Sequence, residues 1–163
     1  MPTGYTVTVE TPGDCAVVVR RRFDAPVQLV WRAYTEPELV KRWLLGPPGW
    51  TMPVCEIDLR AGGAYTYRWR NEEDGTEFGF IGEFLEILPC ARIVSTERPV
   101  DLEHTSEAHN VVEFVPLGDM TELVMTMTYE SAEIRQLVLE TGMTDGMGMS
   151  FDNLDDVLVD LTR

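Results

Sequence analysis

Cations are scarce in this chain: 13 Lys and Arg stand against 28 Asp and Glu in 163 residues, a formal charge of −15. A surface of that sign repels nucleic acid and anionic lipid headgroups, so nucleic-acid binding is excluded from the expected functions. Histidine is scarcer still. His104 and His109 are the only two, both in or beside a polar stretch where solvated loop positions account for them. The three cysteines, Cys15, Cys55 and Cys90, are an odd number without close spacing. Neither a disulfide framework nor a zinc motif follows, and free thiols with no bound metal are expected. No apolar run approaches the ~20 residues of a membrane span, and the opening MPTGYTVTVE lacks the basic and apolar blocks of a signal peptide. A cytoplasmic protein with no membrane span is therefore expected. Internal repeats, low-complexity tracts and Pro/Gly/Ser linkers are also missing. Residues 1–163 read as a single domain, long enough to bury roughly 70% of its unfolded surface in one core.

What is present is organised around residues 23–44, FDAPVQLVWRAYTEPELVKRWL. Pro26 suits a first helical turn, where its missing N–H costs nothing and its ring fixes φ. Val27, Val30, Trp31 and Tyr34 then recur on one side of a 3.6-residue period, which predicts a helix with that side buried. Thr35 and Glu38 have capping-box spacing for a second helix carrying Leu39, Val40 and Trp43, and LGPPG at 45–49 ends it.

Strand signals surround this pair. YTVTVE at 5–10 alternates, and the valine-rich run at 15–23 follows the TPGD turn; one or both supply the first strand. In AYTYRWR, after Gly62 and Gly63, Tyr65, Tyr67 and Trp69 share a face expected to point inward. The run TEFGFIGEFLEIL is apolar on both faces. Phe78, Phe80 and Phe84 oppose Ile81, Leu85 and Ile87, and a bulge near Gly79 or Gly82 would switch the register; if the isoleucine face is inward, Glu83 goes inward with it. ARIVSTE, a polar acidic loop at 99–108, HNVVEFVP and TELVMTMTYE complete the set, the last with Leu123, Met125, Met127 and Tyr129 on one face. Six or seven antiparallel strands are expected.

Ser131 is placed to cap a helix over AEIRQLVLETG. Phe151, Leu154, Leu158 and Leu161 then form an amphipathic stripe, with Asp152, Asp155, Asp156 and Asp160 toward the other side. Between them MTDGMGMS holds Gly146 and Gly148, each costing about 1 kcal/mol relative to Ala inside a helix. Either the final helix begins near Ser150 or the glycines let it approach the sheet closely.

The succession RRRF, DAPVQLVWRAYTEPELVKRW, a Gly-Pro turn and DLRAGGAYTYRW resembles the activator of heat-shock-protein-90 ATPase homologues, of the START-like (SRPBCC) superfamily. The resemblance covers nearly the whole chain. It implies an α+β helix-grip fold: a curved antiparallel sheet around a long C-terminal helix, two short helices after the first strand, and a hydrophobic cavity between sheet and helix. Similar proteins usually have an aromatic after the glycine equivalent to Gly146, where this chain has Met147.

No nucleophile and base, metal-ligand spacing or nucleotide loop is recognisable, so no cofactor is expected. Carboxylates are the only plausible acid or base groups, Glu83, Glu113 and Glu122 all fall on strands, and Glu83 is the candidate among them. Solvated sheet positions account for all three, because an unpaired buried carboxylate is costly. Tyr65, Tyr67, Trp69, Met125, Met127, Met147, Phe151 and Leu154 are the candidate lining of a pocket for an apolar or amphipathic small molecule, although aromatic and Met side chains fill ordinary cores equally well. The alternatives are an enzyme of cyclase or hydratase type using a cavity carboxylate, and a co-chaperone-like interaction domain. An exposed sheet edge or the apolar corner LLGPPGW offers a surface for a homodimer.

Overall fold

The valine-rich run and its arginines extend as β2 (Ala16–Phe23), alternating inward Val17, Val19, Arg21 and Phe23 with more exposed positions. A three-residue β1 (Thr8–Glu10) pairs antiparallel with it, so both N-terminal segments are strands and the helices follow the second, not the first. The computed structural model describes residues 4–100 and 107–163. The remaining strands are β3 (Trp50–Ile57), β4 (Ala64–Asn71), β5 (Glu77–Leu88), β6 (Arg92–Pro99), β7 (Ala108–Leu117) and β8 (Met120–Thr128). They form one antiparallel sheet of eight strands in the order β1-β2-β8-β7-β6-β5-β4-β3, one or two more than the sequence suggests. β1 falls within YTVTVE, the segment whose alternation left open whether one or both N-terminal runs are strands, and only three of its residues pair. Most of the expected acidic loop at 99–108, together with His104, lies outside the described residues.

Pro26 is the N-cap of α1 (Val27–Thr35), its carbonyl accepting from the Leu29 and Val30 amides. Thr35 does not cap the next helix. Its hydroxyl donates back to the Trp31 carbonyl at 2.7 Å, as Ser and Thr do inside helices, and Glu36 is the N-cap of α2 (Pro37–Trp43), with Pro37 at its first position. Ser131 does cap α3 (Ala132–Glu140), its Oγ accepting from the Ile134 amide.

The final helix, α4 (Met143–Thr162), runs through both glycines for 20 residues. A Cβ at Gly146 would meet nothing within 4 Å and one at Gly148 only Val7 at 3.8 Å, so close approach to the sheet is not what these glycines provide. Phe151, Leu154 and Leu158 are buried, as the stripe predicts. Asp155 is a correction: it is only 3% exposed, because Arg21 reaches it from the inner face of β2. A paired carboxylate can be buried where an unpaired one cannot.

α4 packs against α1, α2 and β2, and the main core lies between it and the sheet. Trp43 stacks on Phe151 with centroids 6.1 Å apart, and its indole donates to the Ala33 carbonyl, tying α1, α2 and α4 together. The curved antiparallel sheet gripping a long C-terminal helix is the helix-grip architecture.

Candidate functional site

Register decides which side chains reach the concave face. In β4 and β5, Tyr65 pairs with Gly82, Tyr67 with Phe80 and Trp69 with Phe78, so the Phe face of β5 is inward. A register shift between Phe84 and Glu86 then turns Ile87 toward the core while Leu85 is exposed. The bulge therefore lies at Leu85, beyond either glycine. Glu83, one residue before inward Phe84, is exposed on the outer face and has no part in an interior site. Gly82 serves another purpose. A Cβ there would collide with the Thr96 carbonyl and the Tyr65 ring, so its absence lets that ring lie across the strand and donate its hydroxyl to Thr96 O at 3.0 Å.

In β6, Ser95 pairs with both inward Phe84 and Asn110, and Glu97, two residues on, shares its face. Asn110 is 7% exposed and donates its Nδ2 to Glu97 Oε2 at 2.5 Å. Its Oδ1 is buried and has no hydrogen-bond partner among the described residues. Burial pushes the Glu97 carboxyl up to about 7, and the Asn110 hydrogen bond only partly offsets that.

Four tyrosines lie within reach of this carboxyl's charge. Tyr34 comes from α1, Tyr65 and Tyr67 from β4, and Tyr129 follows β8. Burial is the main cause that raises each phenol, to about 12 for Tyr129, and the nearby Glu97 charge adds to it. Among the described residues, two of these hydroxyls meet only soft acceptors: Tyr34 Oη is 3.7 Å from Met125 Sδ, and Tyr129 Oη is 3.8 and 3.7 Å from the sulfurs of Met127 and Met143. Tyr34, Tyr67 and Glu97 lie deep in the molecule and yet remain only half-buried by accessible area.

The structure gathers Tyr65, Tyr67, Met125, Met127, Met147, Phe151 and Leu154 in or against the main core cluster. Phe151 and Leu154 are fully packed there, at 3% and 0% exposure. Trp69 stands apart. It belongs to a second cluster with Val40, Met52 and Cys55, and its indole donates to Leu44 O at 2.6 Å. Tyr67 touches both clusters, its ring 4.9 Å from Tyr65 and 5.8 Å from Trp69.

Sequence reasoning missed Glu97 and Asn110. For Glu97 there was little signal, since Ile93 and Val94 make both faces of β6 apolar. Asn110 was legible, because it alternates in step with inward Val112 and Phe114. Among the described residues, no three His, Cys, Asp or Glu side chains converge in a way that could hold a metal ion, and no helix is long and apolar enough to cross a membrane.

Comparison with known proteins agrees with this fold. A solved structure from Nitrosomonas europaea superposes with a TM-score of 0.80 at 29% identity, over 93% of this chain and 99% of that one. One from Arthrobacter aurescens gives 0.79 at 27% identity, over 95% and 92%. One from Rhodobacter sphaeroides gives 0.86 at 24% identity, over 95% and 99%, and at that identity shows the fold alone. No curated protein matches the chain. The sequence model described as Activator of Hsp90 ATPase homolog 1-like protein matches residues 24–159, which include both short helices, β3 to β8 and nearly all of α4. The chain belongs to that family, within the START-like helix-grip fold.

Proposed function

We propose that this protein binds an apolar or amphipathic small molecule between the inner face of the sheet and α4. Family membership fits ligand binding as well as a co-chaperone-like role. The observation favouring a ligand is the group of deep yet half-accessible side chains, Glu97, Tyr34 and Tyr67. A core needs no such groups, because polar atoms removed from water without strong partners cost stability. A pocket does need them. Tyr65, Tyr67, Met125, Met127 and Met147 are its apolar lining in this reading, with Phe151 and Leu154 as packed support behind. Trp69 borders it only through Tyr67.

Native mass spectrometry of the purified full chain, with displacement of an apolar fluorescent probe, tests the reading. A co-purified ligand or stoichiometric probe binding is expected. A bare mass together with no probe binding overturns it.

A second reading is proton transfer on such a ligand by a cavity carboxylate. Glu97 supports it where Glu83 does not, because a carboxyl pushed up to about 7 can give or take a proton near neutral pH. Turnover of a bound candidate that is lost in Glu97→Gln while binding persists would establish it.

A further inference from the structure

Granted that pocket, the geometry points to the head group it takes: the Glu97 carboxyl and Asn110 Oδ1 form a paired acceptor for the amino group of an amphipathic amine.

Glu97 has no Lys, Arg or His partner among the described residues, and its one hydrogen bond comes from Asn110. That bond also orients the amide. With Nδ2 turned toward the carboxylate, Asn110 Oδ1 becomes an acceptor, and it is buried with nothing to accept from. Among the described residues, the carboxylate and the amide oxygen of the residue hydrogen-bonded to it thus both lack a further donor. An ammonium carries three donors and no acceptor, which suits this pair with one donor left for a tyrosine oxygen. The rings of Tyr65 and Tyr67, 4.9 Å apart, add faces on which a cation is stabilised.

The opposite head group fits badly. The one buried cation among the described residues is Arg21, and Asp155 and Asp152 already hold its guanidinium at 2.6 and 3.0 Å. A fatty acid carboxylate would face Glu97 with no counter-charge, in a chain whose formal charge is −15. An alcohol would satisfy one acceptor and leave the other empty. The groups that face Glu97 from α1, β4, β7 and the end of β8 are Tyr34, Tyr65, Tyr67, Asn110 and Tyr129, none of which supplies a positive charge.

The test is binding of decylamine, decanol and decanoate, below their micelle concentrations, to the full chain by calorimetry at about pH 8, where Glu97 is ionised. In the wild type the amine should bind at least about tenfold more tightly than the alcohol, and decanoate most weakly. In Glu97→Gln the ratio of amine to alcohol affinity should fall to about one. Equal affinities in the wild type overturn the inference while leaving the pocket intact. An amine preference that survives in Glu97→Gln overturns it as well, by tracing the preference to surface charge. If none of the three ligands binds, the pocket itself falls and the head-group assignment with it.

Discussion

Arg21 and Asp155, 134 residues apart in the chain, meet beneath α4 in a two-pronged ion pair, Nη1 to Oδ1 at 3.0 Å and Nη2 to Oδ2 at 2.6 Å. Both side chains are almost fully buried, and Arg21 also donates to the Arg22 carbonyl and to Asp152 while lying 4.8 Å from the Phe23 ring centre. The pair fixes where α4 crosses the first long strand. Removing one partner strands a buried charge, so Asp155→Ala should lower unfolding free energy by about 3–5 kcal/mol. The double change Arg21→Met with Asp155→Leu should restore most of that. Urea denaturation measures both, and a loss below about 1 kcal/mol for the single change would show the pair to be dispensable.

Glu97 should make stability depend on pH. Its carboxyl is raised by burial from 4.5 to about 7, so the unfolded chain gives up this proton before the folded one does. Below pH 4.5 both states hold the proton and Glu97 contributes no difference. As pH rises toward 7 ionisation increasingly favours the unfolded chain, and above 7 the penalty is constant, at most about 3 kcal/mol. Glu97→Gln should therefore be more stable than wild type at pH 8 and equal to it at pH 4. Denaturant midpoints that differ by the same amount at both pH values would contradict the raised carboxyl.

Gly146 lies in α4 with open space where a Cβ would be. Gly146→Ala should add about 1 kcal/mol to local helix stability without a clash. Amide hydrogen exchange over residues 146–150 should slow, and release of any bound probe past this end of α4 should slow with it. Unchanged exchange would mean the first turns of α4 are already as rigid as the rest.

The thiols should react in two classes. Cys15 and Cys90 are half-buried, whereas Cys55 is buried in the second cluster, where burial pushes its thiol up to about 11. Two thiols per chain should react readily with a disulfide reagent under native conditions, and the third only on unfolding. Rapid reaction of all three in the native protein would place Cys55 nearer the surface than its neighbours Val40 and Trp69 allow.

The helix pair, the aromatic stripe of β4, the α3 cap and the apolar stripe of α4 could be read from the chain because each rests on local chemistry. Pro26, Ser131 and the alternation of Tyr65, Tyr67 and Trp69 act within a few residues of themselves. The capping box at Thr35 failed although it too is local, since the hydroxyl had a nearer acceptor in the preceding turn.

The sequence by itself determined the element types and the sign of the surface charge, both properties of composition and short-range period, and its motifs carried the resemblance to the family. Tertiary structure alone decided which face of β5 turns inward, since both faces are apolar and only pairing with β4 and the bulge at Leu85 distinguish them. It alone buried Asp155, because an acidic residue enters a core only where a distant cation such as Arg21 comes to meet it. It alone moved the candidate carboxylate from Glu83 to Glu97, since parity along one strand says nothing until the neighbouring strands fix which side is concave.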